Sequence, residues 1–237
     1  MQLIILAAGR GSRLPKKFRN KPKCLAQIKS QSIIEHNIDF YRKFKSRLIV
    51  AGYKHKYLNN FCKKNKFKMI INKYYKNTNM VHSLFLASKY IKSDVVVCYG
   101  DIIFNPKIYY LLKSGSNLMP ININWLKIWK KRMSNKKIRE DAENIEIKKK
   151  FLMSIGGPIK TKYPKYQYMG IFKLSKQKFI FLNKIYKKNK NKKIDMTNFL
   201  NYALQKNLLK IKTKLYKSYW YEIDNKKDLD LANRELK

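Results

Sequence analysis

The chain has 237 residues, 45% of them hydrophobic and 14% aromatic, which is enough for one sizeable core and too apolar for a disordered chain. Lysine and arginine number 55 against 14 aspartates and glutamates, a net charge of +41, which invites a nucleic-acid reading. The excess is mostly lysine spread along the whole chain beside Asn, Ile and Tyr, so it reads as compositional drift filling solvated faces, with a field that attracts anionic substrates.

Cys24, Cys62 and Cys98 are odd in number, far apart and without metal-ligand spacing, which suggests free thiols in a reducing compartment. His36, His55 and His82 form no zinc signature. The N-terminus enters a strand within two residues, unlike a signal peptide, and no apolar run approaches the roughly 20 residues of a membrane helix. A soluble, cytoplasmic protein with no membrane partner is expected.

The first half alternates. Residues 3–8 form a continuous apolar run, as in a strand buried on both faces. Residues 32–44 have helical spacing, with Ile33, Ile34, Ile38, Phe40 and Tyr41 inward. Residues 47–53 read as a second strand, 56–64 as a helix and 68–72 as a third strand. Residues 79–91 read as a helix with Asn79 at its N-cap, and 94–99 as a fourth strand ending at Gly100-Asp101. Such alternation implies right-handed crossovers and a mainly parallel sheet with helices on both faces.

The second half is less regular. Residues 117–124 read as a strand and 125–133 as an amphipathic stretch. Strands are expected at 144–149 and 166–174, helices at 176–187 and 196–206, strands at 209–217 and 219–223, and a closing helix at 227–236. The expectation is one domain over 1–237, with a nucleotide-binding half (1–115) and an acceptor half (116–237). Its fold class is α/β: a Rossmann-like mixed, mostly parallel sheet flanked by helices, with a small lid or extension over the carboxyl edge, where ligands bind in open α/β sheets.

The first strand ends in Gly9-Arg10-Gly11-Ser12-Arg13, with Lys21-Pro22-Lys23 downstream. A dinucleotide fingerprint needs a third glycine where Arg13 stands, and a P-loop's Gly-Lys-Ser/Thr is absent. Glycines let backbone N–H groups approach phosphate oxygens, Arg13 can fork onto them, and Lys23 adds a point charge beside the stiff Pro22. Such parts suit phosphoryl and nucleotidyl transfer, which rest on positioning and charge neutralisation.

Leu6-Ala7-Ala8-Gly9 through Gly11 to Arg13-Leu14, followed by Lys21-Pro22-Lys23, resembles the signature of nucleotidyltransferases that join a nucleoside monophosphate to a sugar phosphate or to phosphocholine. Similar motifs recur in order. Residues 75–84 resemble a segment of the phosphocholine cytidylyltransferase (LicC-type) branch. Tyr99-Gly100-Asp101 resembles its metal-binding Gly-Asp motif. Trp125 to Arg132, Asp141-Ala142-Glu143 and Gln167 to Gly170 are similar to that branch's substrate-side lid. Trp220-Tyr221-Glu222-Ile223-Asp224, then Asp228-Leu229, resembles its closing element.

Asp101 and Asp224 each follow an apolar strand. Each also reads as a turn former or helix cap, but two carboxylates at one sheet edge can converge, and hard oxygens suit Mg²⁺. The resemblance assigns both to the metal, with Lys23 and Arg13 neutralising charge on the α-phosphate and pyrophosphate. It implies Mg²⁺ as cofactor, and CTP or another nucleoside triphosphate as partner. Leu6, Ala7, Ala8, Gly9, Gly11, Asn79, Ser83 and Gly100 are the expected nucleotide contacts, Asn79 also reading as a plain helix cap. A phosphate- or phosphonate-bearing acceptor is expected against Trp125, Trp129, Asp141, Glu143, Tyr168, Trp220 and Tyr221. The Trp125/Trp129 pair, at i and i+4, also reads as core packing. A sugar 1-phosphate acceptor stays open, as does a homodimer. No specific nucleic-acid partner is expected: a non-enzymatic nucleic-acid binder would leave the two strand-end aspartates unexplained.

Overall fold

A computed structural model describes residues 1–159, 162–189 and 191–236. Its strands are β1 Gln2–Ala7, β2 Gln27–Ile28, β3 Gln31–Ser32, β4 Ser46–Ala51, β5 Lys68–Ile71, β6 Val95–Tyr99, β7 Ile102–Phe104, β8 Leu118–Asn122, β9 Ile145–Lys148, β10 Phe151–Ile155, β11 Gln167–Tyr168, β12 Ile171–Leu174, β13 Lys212–Tyr216 and β14 Trp220–Glu222. The helices are α1 Ile38–Tyr41, α2 Asn59–Lys64, α3 Met80–Leu86, α4 Ile108–Leu112, α5 Trp125–Lys130, α6 Asn135–Asp141, α7 Lys176–Lys188, α8 Met196–Gln205 and α9 Lys226–Glu235.

The main sheet is mixed and runs β5-β4-β1-β6-β12-β8-β13-β10-β9, with β11 beside β8. From β5 through β6 every pairing is parallel, so the ends of β1, β4 and β6 share one carboxyl edge. β1 and β6 are buried along their full length, which explains their unbroken apolar sequence. β12 joins β6 antiparallel and carries the sheet into the second half. A separate ribbon, β14 with β7, crosses near the same edge. Beneath it lies a small second core of Leu14, Ile28, Ile33, Ile103, Tyr221 and Leu229. Among the described residues no helix is long and apolar enough to cross a membrane.

The expected helix over 32–44 is mostly absent. Residues 35–37 make a 3₁₀ turn and only Ile38–Tyr41 is α-helical. The reason is polar. The Glu35 carboxylate accepts from the Ser32 N–H and hydroxyl at 2.8 and 2.6 Å. The buried Asn37 amide donates to the Ile102 carbonyl at 2.7 Å and accepts from the Phe104 N–H at 3.3 Å. Tertiary hydrogen bonds here outweigh helical periodicity. The expected strand over 166–174 also breaks, into β11 and β12. Gly170 sits between them at φ +73°, and its carbonyl accepts from the Tyr99 N–H at 3.0 Å.

A Cβ at Gly170 would lie 2.7 Å from the Tyr99 ring, in a conformation that L residues rarely adopt. Gly170→Ala is therefore expected to lower stability by about 1–3 kcal/mol. Urea unfolding checks it, and an unchanged midpoint would show that the β11–β12 break tolerates a side chain.

Candidate active site

The centre of the site is a charge cluster built by three distant stretches. Asp101 follows β6, Asp224 follows β14, and Lys23 opens a 3₁₀ turn after Pro22. The Lys23 ammonium donates to Asp101 Oδ2 at 2.6 Å and also to Asp224 Oδ1. Arg13 reaches the same Asp224 oxygen at 2.9 Å from a largely exposed position. Burial alone would lower the pKa of Lys23, but the Asp101 and Asp224 charges overcome it and hold the ammonium well above the ordinary lysine value. Burial likewise works to raise Asp224, and Lys23 and Arg13 overcome it, so its carboxyl lies below the usual 3.8.

Gly11 sits over this cluster at φ +69°, where a Cβ would stand 3.0 Å from Lys23 Cβ. The glycine lets the loop pass across the lysine stem. It lies against Lys23, while the other expected nucleotide contacts line the cavities described next.

A cavity of about 640 Å³ opens on the carboxyl edge beside the cluster. Leu6, Ala8, Gly9, Asn79, Ser83 and Asp101 all line it. Ala7 and Gly100, with Lys23, wall a smaller cleft of about 30 Å³ next to it. Asn79 does cap α3, accepting from the Met80 N–H at 2.7 Å, and lines the cavity as well. The Ser83 hydroxyl oxygen accepts from Asn72 Nδ2 at 3.0 Å, which fixes its position in the wall. Tyr75 and Lys76, in the 74–83 segment that the resemblance places at the base and ribose, line it too, whereas Arg10 and Tyr53 were missed from the sequence. Arg10 was legible, since it stands between the two motif glycines; its guanidinium lies 5.6 Å from the Tyr53 ring centre.

A second cavity of about 290 Å³ adjoins the first, sharing Met80 and Tyr99 as wall. Trp129, Asp141, Glu143, Tyr168 and Trp220 line it together. Trp125 does not. It is buried behind Trp129, meeting it edge-on at 5.2 Å and 90°, and its indole N–H donates to the Pro164 carbonyl at 3.1 Å. Tyr221 does not either. Side chains alternate along β14, so Trp220 and Glu222 face the cavity while Tyr221 points into the small second core, its hydroxyl donating to Glu235 at 3.1 Å. The same alternation would have found Glu222 from the sequence. Asp195, Gln167 and Glu222 also belong to the wall. Burial pushes Glu222 up to about 8, with the Asp224 and Asp101 charges adding to it. Burial also raises Glu143, against the Thr197 hydroxyl's hydrogen bond.

The residues present fit a divalent metal of the magnesium type. Asp101 Oδ1 is buried without a hydrogen-bond partner among the described residues, and Asp224 stands across the shared lysine. Among the described residues no group of three or more His, Cys, Asp or Glu could by itself hold a metal. One or two carboxylates with substrate phosphates completing the shell is how Mg²⁺ is commonly held.

A parallel-sheet edge with a basic, glycine-bearing loop, two strand-end aspartates and an adjoining second cavity is the arrangement expected of a nucleotidyltransferase. The comparisons agree: the MobA-like NTP transferase domain family matches residues 3–117. The CTP:phosphoglutamine cytidylyltransferase of Campylobacter jejuni is 30% identical over 253 aligned positions, spanning 98% of each chain. The choline-phosphate cytidylyltransferase of Streptococcus pneumoniae is 29% identical over 106 positions, 44% of this chain and 46% of that one. Among solved structures, the CTP:phosphocholine cytidylyltransferase LicC from Streptococcus pneumoniae has a TM-score of 0.77 at 19% identity, covering 100% of this chain and 99% of that one. The inositol-1-phosphate CTP transferase from T. maritima has a TM-score of 0.76 at 18% identity, covering 99% and 96%. The chain thus belongs to the sugar-phosphate nucleotidyltransferase superfamily and has its fold.

Because Asp224 has a lowered carboxyl pKa in the fold, its ionised form contributes stability above 3.8 that is lost as pH falls through the lowered value. Lys23→Met removes the main cation beside it. Urea unfolding between about pH 3 and pH 8 should show lower neutral-pH stability and a weaker acid limb than wild type. An identical pH profile would show that the cluster does not contribute to folding.

Proposed function

We propose that this chain transfers CMP from CTP to the phosphate or phosphonate of a small acceptor carrying a cationic nitrogen, releasing pyrophosphate. The observation that carries this reading is the second cavity. In a chain of net charge +41 with 14 acidic residues, four of them, Asp141, Glu143, Asp195 and Glu222, line one cavity beside the nucleotide cavity. Glu222, pushed up to about 8, is largely protonated at neutral pH and Asp141 is paired with Lys137 at 3.0 Å, so it is Glu143 and Asp195, gathered against the general charge bias, that point to a cation. The cytidylyltransferase relatives, one named for phosphoglutamine and others for choline phosphate, support both the nucleotide and the nitrogen-bearing acceptor.

In the mechanism the triphosphate occupies the larger cavity and the acceptor's anionic head enters from the second. An acceptor phosphate oxygen attacks the α-phosphorus, the bond from the α-phosphorus to its β-bridging oxygen breaks, and pyrophosphate leaves with that oxygen. The attacking oxygen is already ionised at neutral pH, so the chain supplies no general base. Two of the three Lys23 N–H donors go to Asp101 and Asp224, leaving the third for a phosphate oxygen. Arg13, largely exposed at the mouth, can leave Asp224 for the β- and γ-phosphates. Asp101 and Asp224 would hold Mg²⁺, which when bound offsets the repulsion between triphosphate and acceptor phosphate.

The test is pyrophosphate release with Mg²⁺, crossing four nucleoside triphosphates with phosphocholine, phosphoethanolamine, phosphoglutamine, 2-aminoethylphosphonate and sugar 1-phosphates. CTP with a nitrogen-bearing acceptor is the expected best pair, and a preference for UTP or dTTP with a sugar phosphate would overturn the reading. Lys23→Ala and Asp101→Ala should each lower kcat by about 10²–10³-fold or more.

A further inference from the structure

The second cavity carries an unmet demand. Gln167 lines it at 3% exposure, and its Oε1 has no hydrogen-bond partner among the described residues. A buried acceptor left unpaired costs the fold the desolvation of that group, so an occupant that donates to it is favoured. Asp141, Glu143 and Asp195 surround the same space; Asp141 is paired with Lys137 at 3.0 Å and Asp195 caps α8, while no lysine or arginine itself lines the cavity beside Glu143. Such a lining favours a cation with hydrogen atoms to give.

The aromatic walls argue the same way. Trp129 and Trp220 stack on one another at 6.2 Å and 28°, and the Arg132 guanidinium lies 4.9 Å from the Trp129 ring centre. Tyr168 meets Tyr99 edge-on at 5.9 Å and 86°. The Trp129 ring is thus engaged within the protein, and one face of Trp220 with it. A quaternary ammonium needs open ring faces and has no N–H.

We propose that the acceptor's nitrogen is a hydrogen-donating ammonium and that Gln167, with Glu143 and Asp195, selects it over a quaternary one by accepting its N–H bonds. This rests on the cationic-acceptor reading above. The carboxylates supply attraction over the width of the cavity, and the amide oxygen supplies direction. A trimethylammonium group would leave Gln167 Oε1 buried and unpaired, and would hold its methyl groups against carboxylate oxygens.

The decisive experiment is a methylation series: phosphoethanolamine, its N-methyl and N,N-dimethyl forms, and phosphocholine. Binding is read by calorimetry in the presence of a non-hydrolysable CTP analogue, and turnover by pyrophosphate release with CTP. Affinity should fall along the series, by about tenfold or more from the first member to the last, the scale of a lost charged hydrogen bond. Gln167→Leu should flatten the series while leaving affinity for the CTP analogue, which uses the other cavity, unchanged. Equal or rising affinity with methylation overturns the proposal, and so does failure of every ester to bind. Binding in the expected order without pyrophosphate release would instead overturn the transfer reading while leaving the amine selectivity standing.

Discussion

The site depends on one ammonium. Asp101 and Asp224 follow β6 and β14, and the pairing of β14 with β7 brings them side by side: Glu222 stands opposite Ile102, and the Ile223 N–H donates to the Asp101 carbonyl at 2.9 Å. That pairing does nothing to neutralise the two carboxylates it brings together. Lys23 does, because it donates to both. Removing one partner from a buried ionic group commonly costs about 3–5 kcal/mol, since the survivors stay desolvated and uncompensated. The cluster therefore shapes the fold at the carboxyl edge of the sheet, beside the larger cavity. The glycine at position 11 belongs to the same requirement, since a side chain there would collide with the lysine stem.

Net charge and local charge tell different stories in this chain. The +41 total describes a long-range field that favours any anion, and a nucleoside triphosphate is one. It carries no information about the second substrate. That information lies in the few acidic residues, two of which form the lysine-bridged pair while four line the adjoining cavity. Against such a basic background each carboxylate stands out, and their grouping says more than the lysines do.

Much of the nucleotide half was legible in the sequence because its signals are local. An unbroken apolar run means a strand buried on both faces, and β1 and β6 are that. Asn79 was visible as a cap because capping depends on adjacent residues. What stayed hidden depends on distant partners or on unusual turn residues. The hairpin of β9 and β10 turns at Lys149 and Lys150, both at positive φ, where Asn-Gly would have announced it. Trp125 and Trp129 share one helix face and one motif, yet only the packing of α5 decides that the second reaches the cavity. Tyr221 was misplaced for a simpler reason: the two-residue period of a strand already separates it from Trp220 and Glu222.

The two cavities are also joined through the protein itself. Arg132 lies over the Trp129 ring and pairs with Asp228, both side chains being almost fully buried. The other Asp228 oxygen accepts from the backbone N–H groups of Asp224 and Asn225 at 2.8 and 3.0 Å. This closes a chain of contacts from the acceptor wall, through a buried ion pair, to the loop that carries Asp224. Asp228 is at the same time the third residue of the α9 capping box, so the helix, the loop and the arginine share one carboxylate. The guanidinium is thus held between the Trp129 ring and a carboxylate that is itself committed to the loop. The wall of the second cavity and the loop that carries Asp224 are therefore linked by one buried ion pair and one shared carboxylate.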